Sequence, residues 1–250
     1  MRFYLSFLAL FTSFFTFSQT IINTETLLVK IDSTSTVFRS NLEADFNFGN
    51  IELLQVNNSI SLGTKIKNNV LRLSFGYEYI SENKEIIAND WTGQIRLNHL
   101  INDNSIFIFL QGQNVVSLSM KHRYLLGGGY RFRLLNKESN YFDFSGGLFY
   151  ENELYTDLDE SLIQINNFRY SFSSFFNIEL TNQINLNTSL FYQINTKNTK
   201  DYRLYIEPRL YFNFNKISLY STIRDRFHST PYIDVYRRDT ELLFGIELNL

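Results

Sequence analysis

The sequence predicts an all-β chain, a transmembrane antiparallel up-and-down barrel of about twelve strands. Three observations predict it. Apolar and polar residues alternate with period two over segments longer than the strands of ordinary globular sheets. The 250 residues hold 25 Phe and 16 Tyr but only 2 Pro, more large aromatics than one soluble interior of this size would take. The connections are alternately short and longer, as in barrels whose turns lie on one side of a membrane and whose loops lie on the other.

The chain opens with "MRFYLSFLALFTSFFTFSQT". Arg2 precedes an apolar run from Phe3 to Phe17, and Thr16 and Ser18 form a small-x-small site before Gln19. That is the layout of a secretory signal peptide, expected over residues 1–18. The run is shorter than the roughly 20 apolar residues of a spanning helix. Residues 19–35 are then expected as an N-terminal periplasmic segment and 36–250 as an outer-membrane barrel. The absence of cysteine excludes disulfides and thiolate metal sites. A net charge of −2 offers no electrostatic reason to expect nucleic acid, and no motif implies a cofactor.

In order, strands are expected near 36–48, 52–66, 69–81, 89–101, 104–114, 118–134, 140–154, 165–180, 183–195, 201–214, 216–228 and 237–250. In the first, Phe38, Leu42, Ala44, Phe46 and Phe48 alternate with Arg39, Asn41, Glu43, Asp45 and Asn47. In the third, Leu71, Leu73, Phe75, Tyr77 and Tyr79 oppose Arg72, Ser74, Gly76 and Glu78. The tenth sets Leu204, Ile206, Leu210 and Phe212 against Arg203, Glu207 and Arg209, and the last alternates through Leu242, Phe244, Ile246, Leu248 and Leu250. Connections after even strands are short ("KNN", "IND", "NKESN", "TNQ", "NK"). Those after strands three, seven and eleven read longer: "ISENKEIIAN", "YTDLDESLIQINN" and "HSTPYIDVYRRD"; those after the first and fifth, "GNI" and "QNVVSL", are exceptions, outer loops that are not long. Asn58, Thr64 and His122 fall on the apolar side of their strands, where a bulge would shift the register. A soluble lipocalin-like barrel is the rival architecture; it would turn its polar face outward.

Chemistry-bearing constellations are sparse. His99, His122 and His228 are isolated, with no partner at metal-ligand spacing. Asp157, Asp159 and Glu160 form an acidic loop, read as solvated. A rim hydrolase would need a histidine beside an activated serine. His228 and Ser229 are adjacent and would point to opposite faces of a strand, although in a loop they could join Asp234 or Asp239. Aromatics such as Tyr77, Tyr79, Tyr124, Phe212 and Trp91 read as interfacial anchors on the lipid side.

With the apolar face turned to lipid, the lumen receives a mixed set of charges. Its expected centre is Arg123, Arg131, Arg133, Asp143, Glu151, Glu153, Arg169, Arg203 and Glu207, with Arg39, Glu43, Asp45, Arg72, Arg96, Lys121, Arg209, Arg224, Arg226, Glu241 and Glu247 around it. Both signs occur in similar numbers, which favours bracing ion pairs over a single-sign selectivity ring. Twelve strands lie between a filled eight-stranded interior and an open pore of 16–18 strands. The expected role is therefore envelope-structural or narrow-pore, with a charged and largely occluded lumen. The rivals are a lipid hydrolase or protease at the rim and a soluble periplasmic binding barrel. Expected partners are outer-membrane lipids and the barrel-assembly machinery.

"RYLLGGGYRFRLLNKESNYFDFSGGLFYENELY" resembles the paired central strands of the salt-induced outer-membrane proteins, a family named as domain of unknown function 481 and common in Bacteroidota. The likeness continues through "DYRLYIEPRL" and "FHSTPYIDVYRRDTELLFGIELNL". It implies an outer-membrane barrel with no established activity. Related members often carry Pro-Pro where this chain has Thr230-Pro231, and end in Phe where it ends in Leu250. Gly245, Leu248 and Leu250 resemble the barrel-assembly signal.

Gly127, Gly128 and Gly129 are not a phosphate cradle, because no helix follows them. With Gly146 and Gly147 they read as places where a barrel wall bends or makes room for large neighbours. If the flanking strands pair symmetrically about "NKESN", Gly129 faces Gly147, Arg133 faces Asp143 and Arg123 faces Glu153.

Overall fold

The computed structural model describes residues 36–47, 53–137, 140–157 and 159–249. The expected signal peptide (1–18), the 19–35 segment, the Asp45 side chain and Leu250 lie outside what is described. The strands are β1 (Thr36–Asn47), β2 (Leu53–Ile66), β3 (Asn69–Glu82), β4 (Glu85–Ile101), β5 (Asn104–Val115) and β6 (Met120–Lys137). They continue as β7 (Asn140–Thr156), β8 (Leu162–Thr181), β9 (Ile184–Asn195), β10 (Tyr202–Phe214), β11 (Ile217–His228) and β12 (Arg238–Asn249). Each pairs antiparallel with its sequence neighbours, and β1 pairs with β12, closing the barrel. Closure leaves no free sheet edge.

The alternation sorts the two faces. Outward positions are apolar and exposed, as at Leu42, Ile108, Leu126, Phe168 and Leu242. Inward positions are polar and buried, as at Gln113, Glu151, Arg169 and Thr222. This is the inverse of a soluble barrel. The tight turns at one end and the connections at the other define a turn end and a loop end.

Several elements depart from expectation. The long connection expected after the third strand is a turn of Asn83 and Lys84, with φ of 49° and 69°. Two such residues match the twist of the flanking strands, so β3 and β4 run further and absorb a bulge between Ile80 and Ser81. The connection after β7 shortens to 157–161 because Leu162–Asn166 pair back onto Asn152–Thr156. Lys121, expected in the lumen, occupies a bulge of β6 and is exposed. That bulge turns Met120 inward and leaves His122 outside, stacked on Tyr124 at 4.9 Å and bonded to Asn152 at 3.2 Å. Asn58 stays exposed on the outer side, and Thr64 bonds Thr36 across the strand pair at 3.2 Å.

Not all aromatics face outward. Phe107, Phe149 and Phe175 are buried inside the barrel. The space for them comes from the glycines: Gly127, Gly129 and Gly147 are inward positions of β6 and β7. Register places Gly127 opposite Phe149, Gly129 opposite Gly147, Arg133 opposite Asp143 and Arg123 opposite Glu153. Gly128 and Gly146 face outward. Two adjacent strands thus present no inward side chain at mid-height, and phenyl rings from neighbouring positions fill the gap.

Candidate functional site

The inward face gathers its charges into three groups. The densest lies toward the loop end. Glu151 on β7 accepts from three guanidiniums: Arg123 Nη2 at 3.1 Å, Arg169 Nε at 2.5 Å and Arg203 Nη1 at 2.9 Å. Glu153, two residues on and on the same face, binds Arg123 Nε at 2.8 Å and Arg203 Nη2 at 3.2 Å, and accepts from the Tyr155 hydroxyl at 3.0 Å. Arg169 also donates to Asp201 Oδ2 at 2.6 Å. Three cations meet three carboxylates, all essentially buried. Arg203 belongs to β10 and its acids to β7, with β8 and β9 between them in the wall. Its side chain is therefore a chord across the lumen.

Two connections complete this group. Asp201, just before β10, bonds His228 Nε2 at 2.8 Å and Asn195 Nδ2 at 3.0 Å. The Tyr232 hydroxyl donates to Asp201 Oδ2 at 2.9 Å and accepts from Arg169 Nη2 at 2.6 Å and Asn167 Nδ2 at 2.9 Å. Tyr232 and Ile233 pack on Val115, Leu118, Met120 and Tyr155. The segment 229–237 leaves from β11 and β12, while Val115 and Met120 lie at the β5–β6 junction, six strands away around a twelve-strand ring. The segment therefore crosses the mouth to the opposite wall.

Burial opposes the charge of Asp201, but the hydrogen bonds from His228 and Arg169 outweigh it and hold this carboxyl far below the usual carboxylate range. A depressed carboxyl stabilises fully above its unfolded value of about 3.9 and loses that contribution only as pH falls through the folded value. The Asp201 share of the clamp is thus expected to survive mild acid.

The second group lines the β10–β12 and β1 wall. Glu43 binds Arg224 at 2.7 Å, Arg209 at 3.3 Å and the Tyr220 hydroxyl at 2.8 Å. Glu207 binds Arg209 at 2.8 Å, Arg224 at 3.2 Å and the Tyr205 hydroxyl at 2.6 Å. Arg226 holds Asp239 at 3.0 Å and, more closely still, Glu241. Glu247 meets Arg39 at 3.5 Å and the Tyr211 hydroxyl at 3.1 Å. A cavity with ≈ 100 Å³ of room for water borders this group and also touches Glu78 and Asp90. The third group sits at the turn end, where Asp143 binds Arg131 at 2.9 Å and Arg133 at 3.1 Å. Arg131 lies over the Phe175 ring at 4.4 Å and Arg96 over Phe107 at 4.1 Å.

The nine charges read from the sequence as the lumen centre therefore divide. Arg123, Glu151, Glu153, Arg169 and Arg203 fall in the first group, Glu207 in the second, and Arg131, Arg133 and Asp143 in the third. Asp201 and Tyr232 escape sequence reasoning because they come from connections. Glu78 and Asp90 sit at inward positions that the alternation of β3 and β4 would supply. Gly245 has a local reason of its own: a Cβ there would lie 2.5 Å from the Tyr220 hydroxyl oxygen, the group that reaches Glu43. Leu248 is exposed on the outer face.

The hydrolase set is not brought together. His228 bonds Asp201 and is fully buried. The Ser229 hydroxyl turns the other way, donating to the Lys200 carbonyl at 2.6 Å and accepting from the Tyr202 amide at 2.8 Å. Asp159 closes on the Ser161 amide at 3.0 Å. Among the described residues no three His, Cys, Asp or Glu converge as a metal site would require.

Comparison with known proteins places this geometry. An outer membrane channel from Pseudomonas putida F1 superposes with a TM-score of 0.53 at 10% identity, covering 88% of this chain and 97% of that one. The translocator domain of the autotransporter NalP from Neisseria meningitidis gives 0.52 at 11% identity, covering 87% and 90%. At such identities the likeness speaks for the fold alone. No curated protein matches the sequence. The family described as "Protein of unknown function, DUF481" matches over residues 42–249, which is the barrel nearly from end to end, and the chain belongs to that family.

Proposed function

We propose that the protein is a channel-type barrel of the outer membrane whose lumen is closed at the loop end in its resting state. One observation carries the reading: the Arg203 chord to Glu151 and Glu153, capped by the 229–237 segment that Tyr232 pins to Arg169 and Asp201. The outward apolar face and the inward polar face support placement in a bilayer. The balanced charge supports closure over single-sign selectivity.

Planar-bilayer recording tests it. The native protein should show rare, small openings. Tyr232→Ala removes both the hydroxyl that joins three partners and the ring that packs on the far wall, so the open fraction should rise about tenfold or more, the equivalent of one lost buried hydrogen-bond set. Equal, near-zero conductance in both proteins would reject a channel and leave an envelope-structural wall. Large steady conductance in the native protein would reject the closed state.

A further inference from the structure

We propose that the aromatic side of the lumen holds a binding site for a small saccharide. The site is a second cavity, with ≈ 70 Å³ of room for water, lying below the loop-end ion pairs, with Arg123 bordering both. Its walls combine three features. Phe107, Phe149, Phe175 and Phe191 supply ring surface where the inward glycines leave space. Ser145, Ser171 and Ser173 supply hydroxyls. The side-chain carbonyl oxygens of Gln94 and Gln193, residues only 6% and 7% exposed, have no hydrogen-bond partner among the described residues.

The orientation of Gln94 is fixed by a relay. Its amide nitrogen donates to Gln111 Oε1 at 2.9 Å, Gln111 donates to Gln113 Oε1 at 2.8 Å, and Gln113 points its nitrogen at the Met120 sulfur at 4.0 Å. Reversing all three amides would set the Gln113 carbonyl against that sulfur, a weak acceptor with no proton to give. The relay therefore ends in an acceptor at Gln94 Oε1. A buried acceptor without a donor is costly, and two of them in one cavity call for a ligand with spaced N–H or O–H groups.

Charge narrows the class. Arg96 and Arg123 are in the lining and no carboxylate is, which disfavours cationic donors such as amines. The rings require an apolar C–H surface on the ligand. Room for water centres of this size corresponds to about five to seven waters, or roughly 150–210 Å³ of liquid, the bulk of a monosaccharide. A polyhydroxylated ring with an apolar face, neutral or acidic, meets all of these demands.

The test is calorimetric titration of the full chain, refolded in detergent micelles, with glucose, glucuronate and lysine. At least one sugar should bind with a Kd of about 1 mM, weak enough for a solute that must also leave, and lysine should not. The pair Gln94→Leu with Gln193→Leu should weaken binding about tenfold or more. Thr92→Val, in the other cavity, should leave it unchanged. Should the pair lose its heat-shifted gel band, Gln193→Met alone keeps the volume and should still weaken binding severalfold. The proposal is overturned by no sugar binding up to about 50 mM, by equal binding of lysine, or by glutamine variants that bind like the native chain. Calorimetry reads the site in a closed barrel, so its failure is separable from that of the closed-channel reading, which conductance decides.

Discussion

Glu151→Gln should lower the temperature at which the folded, heat-modifiable gel band disappears by about 10 °C. The reason is arithmetic within one group. Three guanidiniums, Arg123, Arg169 and Arg203, converge on Glu151 within 3.1, 2.5 and 2.9 Å, and all four side chains are essentially buried. Glutamine keeps the shape and removes the charge, leaving three cations to Glu153 and Asp201. Breaking a buried pair by deleting one partner costs about 3–5 kcal/mol, and a barrel of this size converts each kcal/mol into about 2–4 °C. Arg203→Met in the same background should restore part of the loss, because the excess cation goes with it; a double-mutant cycle reads that coupling. A shift under about 2 °C would mean that water screens the network, as it does for exposed pairs, and the bracing role would fall. Glu78→Gln, at a half-buried site, is the control and should move the transition little.

The barrel is legible in the sequence because period two is a local signal and a membrane strand shows it over many residues. Symmetric pairing about "NKESN" also sets Arg133 opposite Asp143 and Gly129 opposite Gly147, and the barrel has that register. What the sequence hides is non-local. In β5 the alternation weakens because both faces are large and apolar: Ile106, Ile108 and Leu110 point out while Phe107 and Phe109 point in. Nothing within β5 says that phenyl rings can enter the lumen. The permission sits on β6 and β7, in the glycines they face. Asp201 and Tyr232 are hidden for a similar reason. Each lies in a connection, where no periodicity assigns a face, and each gains its meaning from Arg169 on another strand. Loop length is misread where turn chemistry is weakly marked, as at Asn83 and Lys84, whose positive φ no glycine announces.

Those glycines also yield the sharpest structural prediction. Gly129→Val should abolish the folded barrel, leaving no heat-modifiable band after refolding, and Gly129→Ala should already cut its yield severely. A Cβ at Gly129 would lie 2.8 Å from the Gly147 Cα and 2.9 Å from the Phe107 ring, and it would collide with the Gly146 carbonyl. The phenyl ring can move, but the β7 backbone cannot without breaking the pairing that holds β6 and β7 together. Overpacking usually costs about 1–3 kcal/mol because side chains share the strain; here the obstacle is main chain, so the cost should exceed that range. Gly146→Ala is the discriminating control. It neighbours the same pair, but its Cβ would point outward and meet only the Phe172 ring at 3.8 Å, an ordinary contact. If both substitutions were equally harmful, glycine would be needed here for backbone flexibility during folding. If only Gly129 is intolerant, the requirement is close approach of two strands. That approach is also what clears the space occupied by the inward phenyl rings and the amide-lined cavity, so wall curvature and lumen chemistry are set by the same missing side chains.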